Sequence, residues 1–137
     1  MELIYSSKRT EIVPITIAID FDGTLVQHAY PKIGKEIPGA INVLSLLQKH
    51  NHKIILFTMR HDKTLSDAVK WLKQKGIELY GINENPDQCT WTSSPKVHCD
   101  IFVDDRSLGC PLTNFEGHTV VDWGVIEQML KQMKVIA

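Results

Sequence analysis

Residues 15–24 read ITIAIDFDGT, and the stretch changes character half-way along. Ile15, Thr16, Ile17, Ala18 and Ile19 are branched or apolar without alternation, the pattern of a strand covered on both faces in a parallel sheet. Then the chemistry begins. Asp20 and Asp22 stand two apart, Gly23 permits a sharp backbone turn, and Thr24 adds a hydroxyl. Ligands sit at the carboxyl ends of strands in parallel α/β sheets, so two acids at this strand end are poorly sited for packing and well sited for a reaction.

The rest of the chain extends the same pattern. Residues 25–38 hold Pro31, Gly34 and Pro38 and read as a loop. Pro38 and Gly39 open a helix with Ile41, Leu44 and Leu47 on its stripe, broadened by Val43 and Leu46 and ending near His50 and Asn51. Residues 53–57 (KIILF) are a second buried strand closed by Thr58. Asp62 or Thr64 caps a second helix carrying Leu65, Ala68, Val69 and Leu72, which Gly76 ends. Residues 77–82 (IELYGI) predict a third strand, and 83–96, with Pro86 and Pro95, a loop with room for a short helical turn. Residues 100–103 predict a fourth strand ending in Asp104 and Asp105, and 118–121 a fifth. Asp122 caps a last helix with Ile126, Met129, Leu130 and Met133 on its stripe. At the amino end, Leu3, Ile4 and Tyr5 suit an edge strand or a packed arm. The expectation is a single α/β domain over 1–137: a three-layer, Rossmann-like, doubly wound parallel sheet of about five strands, with helices on both faces.

Composition narrows the function classes. With 137 residues, 43% apolar and 23% charged, the chain has an ordinary globular make-up. The formal charge of −1 and scattered Lys and Arg give no basic stripe, so general nucleic-acid binding is not expected. No apolar run approaches the roughly 20 residues of a membrane span, and the first residues lack a signal peptide's pattern, so a cytoplasmic protein without a membrane partner is expected. Cys89, Cys99 and Cys110 form no C-x-x-C pair, which suits reduced thiols, and no two histidines have the spacing of a helical metal site.

Three predicted strands end in polar side chains that a sheet does not need: Asp20 and Asp22, Thr58, then Asp104 and Asp105. Lys96 lies shortly before the fourth strand. Carboxylates gathered in this way repel one another, and a hard divalent cation with oxygen ligands relieves that repulsion. Magnesium fits best, because one or two carboxylates hold it while water and a phosphate take the other positions.

D-x-D-G-T after the first strand, a lone Thr after the second, an upstream Lys and a later Asp-Asp pair resemble the four motifs of the haloacid dehalogenase-like hydrolases, most of which are magnesium-dependent phosphotransferases. The resemblance implies that Asp20 is a nucleophile forming an aspartyl-phosphate and that Asp22 is the general acid and base. It implies that Thr58 bonds a phosphoryl oxygen and that Lys96 offsets charge on phosphate and nucleophile. It also implies metal ligation by Asp20, by the backbone carbonyl of Asp22 and by Asp104, with Asp105 a ligand or its support. A magnesium-dependent phosphomonoester hydrolase is therefore expected, acting on a small molecule or on an exposed phosphate of a macromolecule.

Members of that superfamily often carry an inserted cap domain, and intervals 25–57 and 59–95 leave no room for one beyond a loop, a helix and a strand each. The resemblance is thus to a small capless member, whose open site a homodimer is one way to cover. Gly23, Thr24 and Arg60 are the candidate substrate contacts, with Tyr30, Lys32 and Lys35 of the 25–38 loop also placed to touch a leaving group. Arg106 offsets the charge of its acidic neighbours. The competing expectation is a phosphoacceptor or metal-binding module, receiver-like or haloacid dehalogenase-like in fold, without turnover.

Overall fold

A computed structural model describes residues 11–137, so the expected arm at Leu3–Tyr5 lies outside the described residues. Strands β1 (Thr16–Ile19), β2 (Lys53–Leu56), β3 (Gly81–Ile82) and β4 (Ile101–Val103) form one parallel sheet in the order β3-β2-β1-β4. The register sets Ile17 beside Ile54 and Ile101, and Ile19 beside Leu56 and Val103. Helices α1 (Ala40–Lys49), α2 (Asp62–Gln74) and α3 (Trp123–Gln132) complete the alternation read from the sequence.

The layering differs from the expectation. Ile17, Ile19, Ile54, Leu56 and Val103 share one core with buried residues from all three helices, including Leu44, Leu72 and Ile126. The opposite face, at Ala18 and Ile55, is covered by Val97 with Tyr80 and Cys99 beside it. Chain handedness explains the split. The connections β1 to β2 to β3 step in one direction, so right-handed crossovers put α1 and α2 on one face, and the return from β3 to β4 must cross the other. That return segment has Pro86, Pro95 and a single 3-10 turn at Gln88–Thr90, so a loop covers the second face where a helix was expected.

Two of the expected strands are also corrected. Residues 77–82 supply only the pair Gly81–Ile82, because the first residues serve the end of α2. Gly76 turns at φ +80°, its N–H reaches the Lys73 carbonyl, and the Ile77 N–H reaches Leu72. The expected fifth parallel strand, β6 (His118–Val121), instead pairs antiparallel with β5 (Leu112–Phe115) in a separate hairpin. Its turn, Glu116 and Gly117, has positive φ at both residues, the geometry that matches the twist of a two-residue hairpin. No helix among the described residues is long and apolar enough to cross a membrane.

His52, 6% exposed, ties three segments together. Its Nδ1 accepts from the Ile15 N–H at 3.0 Å, and its Nε2 donates to the Val135 carbonyl at 2.6 Å, pinning the chain's end beneath the start of β1. His52→Ala leaves both backbone groups without their partner, so urea denaturation should show a loss of about 2–4 kcal/mol. A loss under about 0.5 kcal/mol would mean that water satisfies both groups equally well.

Candidate functional site

Sheet bonds continue one step past β1 and place its first acid. The Asp20 N–H donates to the Val103 carbonyl at 2.9 Å, and the Phe57 N–H donates to Ile19 at 2.8 Å. Asp20, Thr58 and Asp104 thus follow three adjacent strands at one rim. There they line a cleft of about 490 Å³ together with Asp22, Asp105 and the side chains of the following loops.

The turn after Asp20 is held from several sides. The Phe21 carbonyl accepts from Leu25 at 2.8 Å, the Trp123 Nε1–H donates to the Thr24 carbonyl at 2.6 Å, and Val121 of the hairpin donates to Gly23 at 3.1 Å. Thr24 is fully buried, so it is not open to substrate as expected from its place in the motif. Its hydroxyl donates to Asp20 Oδ2 at 2.8 Å and accepts from the Asp105 N–H at 3.2 Å, which makes it a strut between the two acids. Gly23 has φ +82°, and a Cβ there would come within 2.3 Å of His28 Nε2 and Asp105 Oδ2. Only glycine fits beneath that pair, whose own separation is 3.0 Å.

The electrostatics follow from this crowding. Burial, opposed by the Thr24 hydrogen bond and reinforced by the Asp104 charge, pushes the Asp20 carboxyl up from 3.8 to about 7. One carboxylate oxygen from each of Asp20, Asp104 and Asp105 lies within 4.8 Å of the others. The Arg106 N–H donates to Asp104 Oδ1 at 2.9 Å and helps to orient it. An all-oxygen, anionic donor set that raises the pKa of its own member fits a hard divalent cation such as magnesium.

Asp22 stands apart from that cluster. Arg60 Nε and Nη2 donate to its two oxygens at 2.7 and 2.8 Å. The guanidinium, 1% exposed, also donates to the carbonyls of Pro31, Lys32 and Thr64 and lies against the Phe21 and Tyr30 rings. Arg60, expected to touch substrate, is thus enclosed as a staple between Asp22 and the 25–38 loop. Lys96 is exposed and lines a groove with Trp91 and Phe102 on the loop-covered face, outside the cleft. Of the expected leaving-group residues in the 25–38 loop, Tyr30 lines the cleft, while Lys35 pairs with Glu116 of the hairpin. His28, His61 and Arg106 line the cleft without having been singled out from the sequence as site residues, since isolated loop residues carry no spacing signal.

Among solved structures, a conserved protein coded by a locus from Bacteroides thetaiotaomicron superposes with a TM-score of 0.75 and 39% sequence identity, over 88% of this chain and 93% of that one. The chain belongs to that protein's family. No protein-family model matches it, and no curated protein does. The Bacteroides thetaiotaomicron relative is described as a conserved protein, with no activity stated.

The Asp20 shift has a measurable consequence. Between pH 4 and about 7 the folded carboxyl keeps a proton that the unfolded one has lost, so this group's contribution to stability is full at low pH and falls as pH rises through that window. In the presence of a chelator, Tm should drop by on the order of 5 °C between about pH 4.5 and 7.5, and Asp20→Asn should flatten the drop. Millimolar magnesium should restore more of the Tm at the upper pH than at the lower, where protons compete for the same oxygens. A wild-type profile parallel to that of Asp20→Asn would contradict the assigned cause.

Proposed function

We propose that the chain is a magnesium-dependent phosphomonoester hydrolase of the haloacid dehalogenase-like type, working through an aspartyl-phosphate on Asp20. The observation that carries this reading is the convergence of Asp20, Asp104 and Asp105 within 4.8 Å at the rim where Thr58 also stands. Asp20, Asp104 and Asp105 would hold the cation, which supplies charge neutralisation so that an anionic nucleophile and an anionic phosphate can share the site.

Thr24 holds Asp20 Oδ2, and Oδ1 is the oxygen offered to phosphorus. As the Asp20–phosphorus bond forms, the ester bond breaks and the leaving oxygen takes a proton from Asp22. Water then attacks the phosphorus, gives its proton to Asp22, and releases inorganic phosphate with Asp20 restored as a carboxylate. The Thr58 hydroxyl bonds a phosphoryl oxygen. Arg106 brings positive charge to the rim, whereas Lys96, expected to offset charge on phosphate and nucleophile, lies in the Trp91–Phe102 groove outside the cleft.

One observation favours the competing reading of a phosphoacceptor without turnover. Both oxygens of Asp22 are taken by Arg60, so proton transfer requires Asp22 to turn away from that pair. Hydrolysis of p-nitrophenyl phosphate separates the two. The phosphatase reading predicts steady turnover that a chelator abolishes and magnesium restores. Asp20→Asn should lower kcat by roughly a thousandfold or more, and Asp22→Asn by roughly a hundredfold or more. A single burst of one product per protein, or no product in magnesium, would reject the hydrolase in favour of the module.

A further inference from the structure

The cleft has a side that the proposed reaction leaves open. To protonate the ester oxygen, Asp22 must touch it, so the leaving group departs on the Asp22 side of Asp20. On that side Arg60 holds both Asp22 oxygens, and its guanidinium carbon lies 5.3 Å from the centre of the Tyr30 ring. Arg60 is itself fixed by three backbone carbonyls and by the Phe21 ring at 4.9 Å. The Tyr30 ring therefore rests on an immobile base, half exposed and facing the cleft it lines. Met59, between Thr58 and Arg60, is 95% exposed at the same cleft, and His61 adds a second flat ring to that rim.

We infer that the substrate is a phosphomonoester whose leaving group presents a flat unsaturated ring, as a nucleoside or an arylmethyl group does, seated on Tyr30 with Met59 beside it. The inference rests on the phosphatase reading and names the substrate class for that same site. A phenol ring and a thioether offer polarizable apolar contact, which stacks on a ring and gives little to the hydroxyls of a polyol. A cleft of about 490 Å³ is within the range that encloses a small molecule. Because Tyr30 is already positioned by Arg60, its ring loses little freedom when a substrate stacks on it.

Two matched pairs of substrates locate the ring. Adenosine 5′-monophosphate against ribose 5-phosphate tests a ring beyond the sugar, and benzyl phosphate against cyclohexylmethyl phosphate tests a ring beside the ester oxygen with nearly the same leaving alcohol. In magnesium, kcat/KM should favour the flat-ring member of at least one pair by roughly five- to a hundredfold, the range of one aromatic stacking contact. Tyr30→Leu should bring that ratio close to one, Tyr30→Phe should keep it, and Trp91→Leu, on the other face of the sheet, should leave it as in wild type. Turnover of both pairs with ratios near one, or a ratio that survives Tyr30→Leu, overturns this inference and leaves the phosphatase standing. Absence of turnover for all four compounds and for p-nitrophenyl phosphate overturns the phosphatase and the inference with it.

Discussion

Three carboxylates held against their own repulsion are the constraint around which this fold is arranged. Asp20, Asp104 and Asp105 come from segments more than eighty residues apart, and the parallel pairing of β1 with β4 brings their backbones side by side. The buried hydroxyl of Thr24 then links two of them, donating to one side chain and accepting from the other's backbone. A charged cluster of this kind persists only where its surroundings are rigid. Rigidity comes from the core beneath: Phe21, Leu25 and Val26 are fully buried, Trp123 of α3 holds the Thr24 carbonyl, and the β5–β6 hairpin holds Gly23.

The one-sided distribution of helices has consequences for the rim. The face that carries α1, α2 and α3 supplies the packing, and α3 and the hairpin reach forward to the turn at residues 21–26. The other face carries the long return from β3 to β4, and Lys96 travels with it. A loop in place of a helix leaves Trp91, Phe57 and Phe102 partly exposed there and sets Lys96 among them. Arg106, one residue beyond the acidic pair, brings to the cleft a positive charge that Lys96 does not.

Much of this was legible in residues 15–24 and in the strand ends. Buried strands announce themselves by uninterrupted branched residues, and acids at their carboxyl ends have no packing reason to be there, so the gathering of Asp20, Thr58, Asp104 and Asp105 followed from topology alone. Two helix ends were legible for the same reason, since Gly76 and the cap on Asp122 each perform a local task that a single residue type does best. By contrast α2, expected to be capped by Asp62 or Thr64, is capped at His61, whose N–H donates to the Thr64 hydroxyl. What did not show was whatever depends on contacts between distant segments. β3 was over-read because Ile77 is apolar for the sake of a helix cap, and β6 was assigned to the wrong sheet because a strand's own residues do not say which edge it meets. Arg60 resembled a free cation in sequence, whereas its partners, Asp22 and the carbonyls of Pro31 and Lys32, lie some thirty to forty positions away. His28 beside Asp105 left no pattern at all. A signal for the hairpin was present in Glu116-Gly117 between two four-residue runs, the spacing of a two-residue turn.

The central claim, that these acids hold one cation and leave Asp20 free to accept a phosphoryl group, is tested most directly by a crystal structure grown with magnesium and beryllium trifluoride, a mimic of a carboxylate-bound phosphoryl group. The account predicts the trifluoride on a carboxylate oxygen of Asp20, with the metal against Asp104 and the Thr58 hydroxyl turned to a fluorine. A trifluoride bound elsewhere, or a metal that leaves Asp20 and Asp104 untouched, would contradict it.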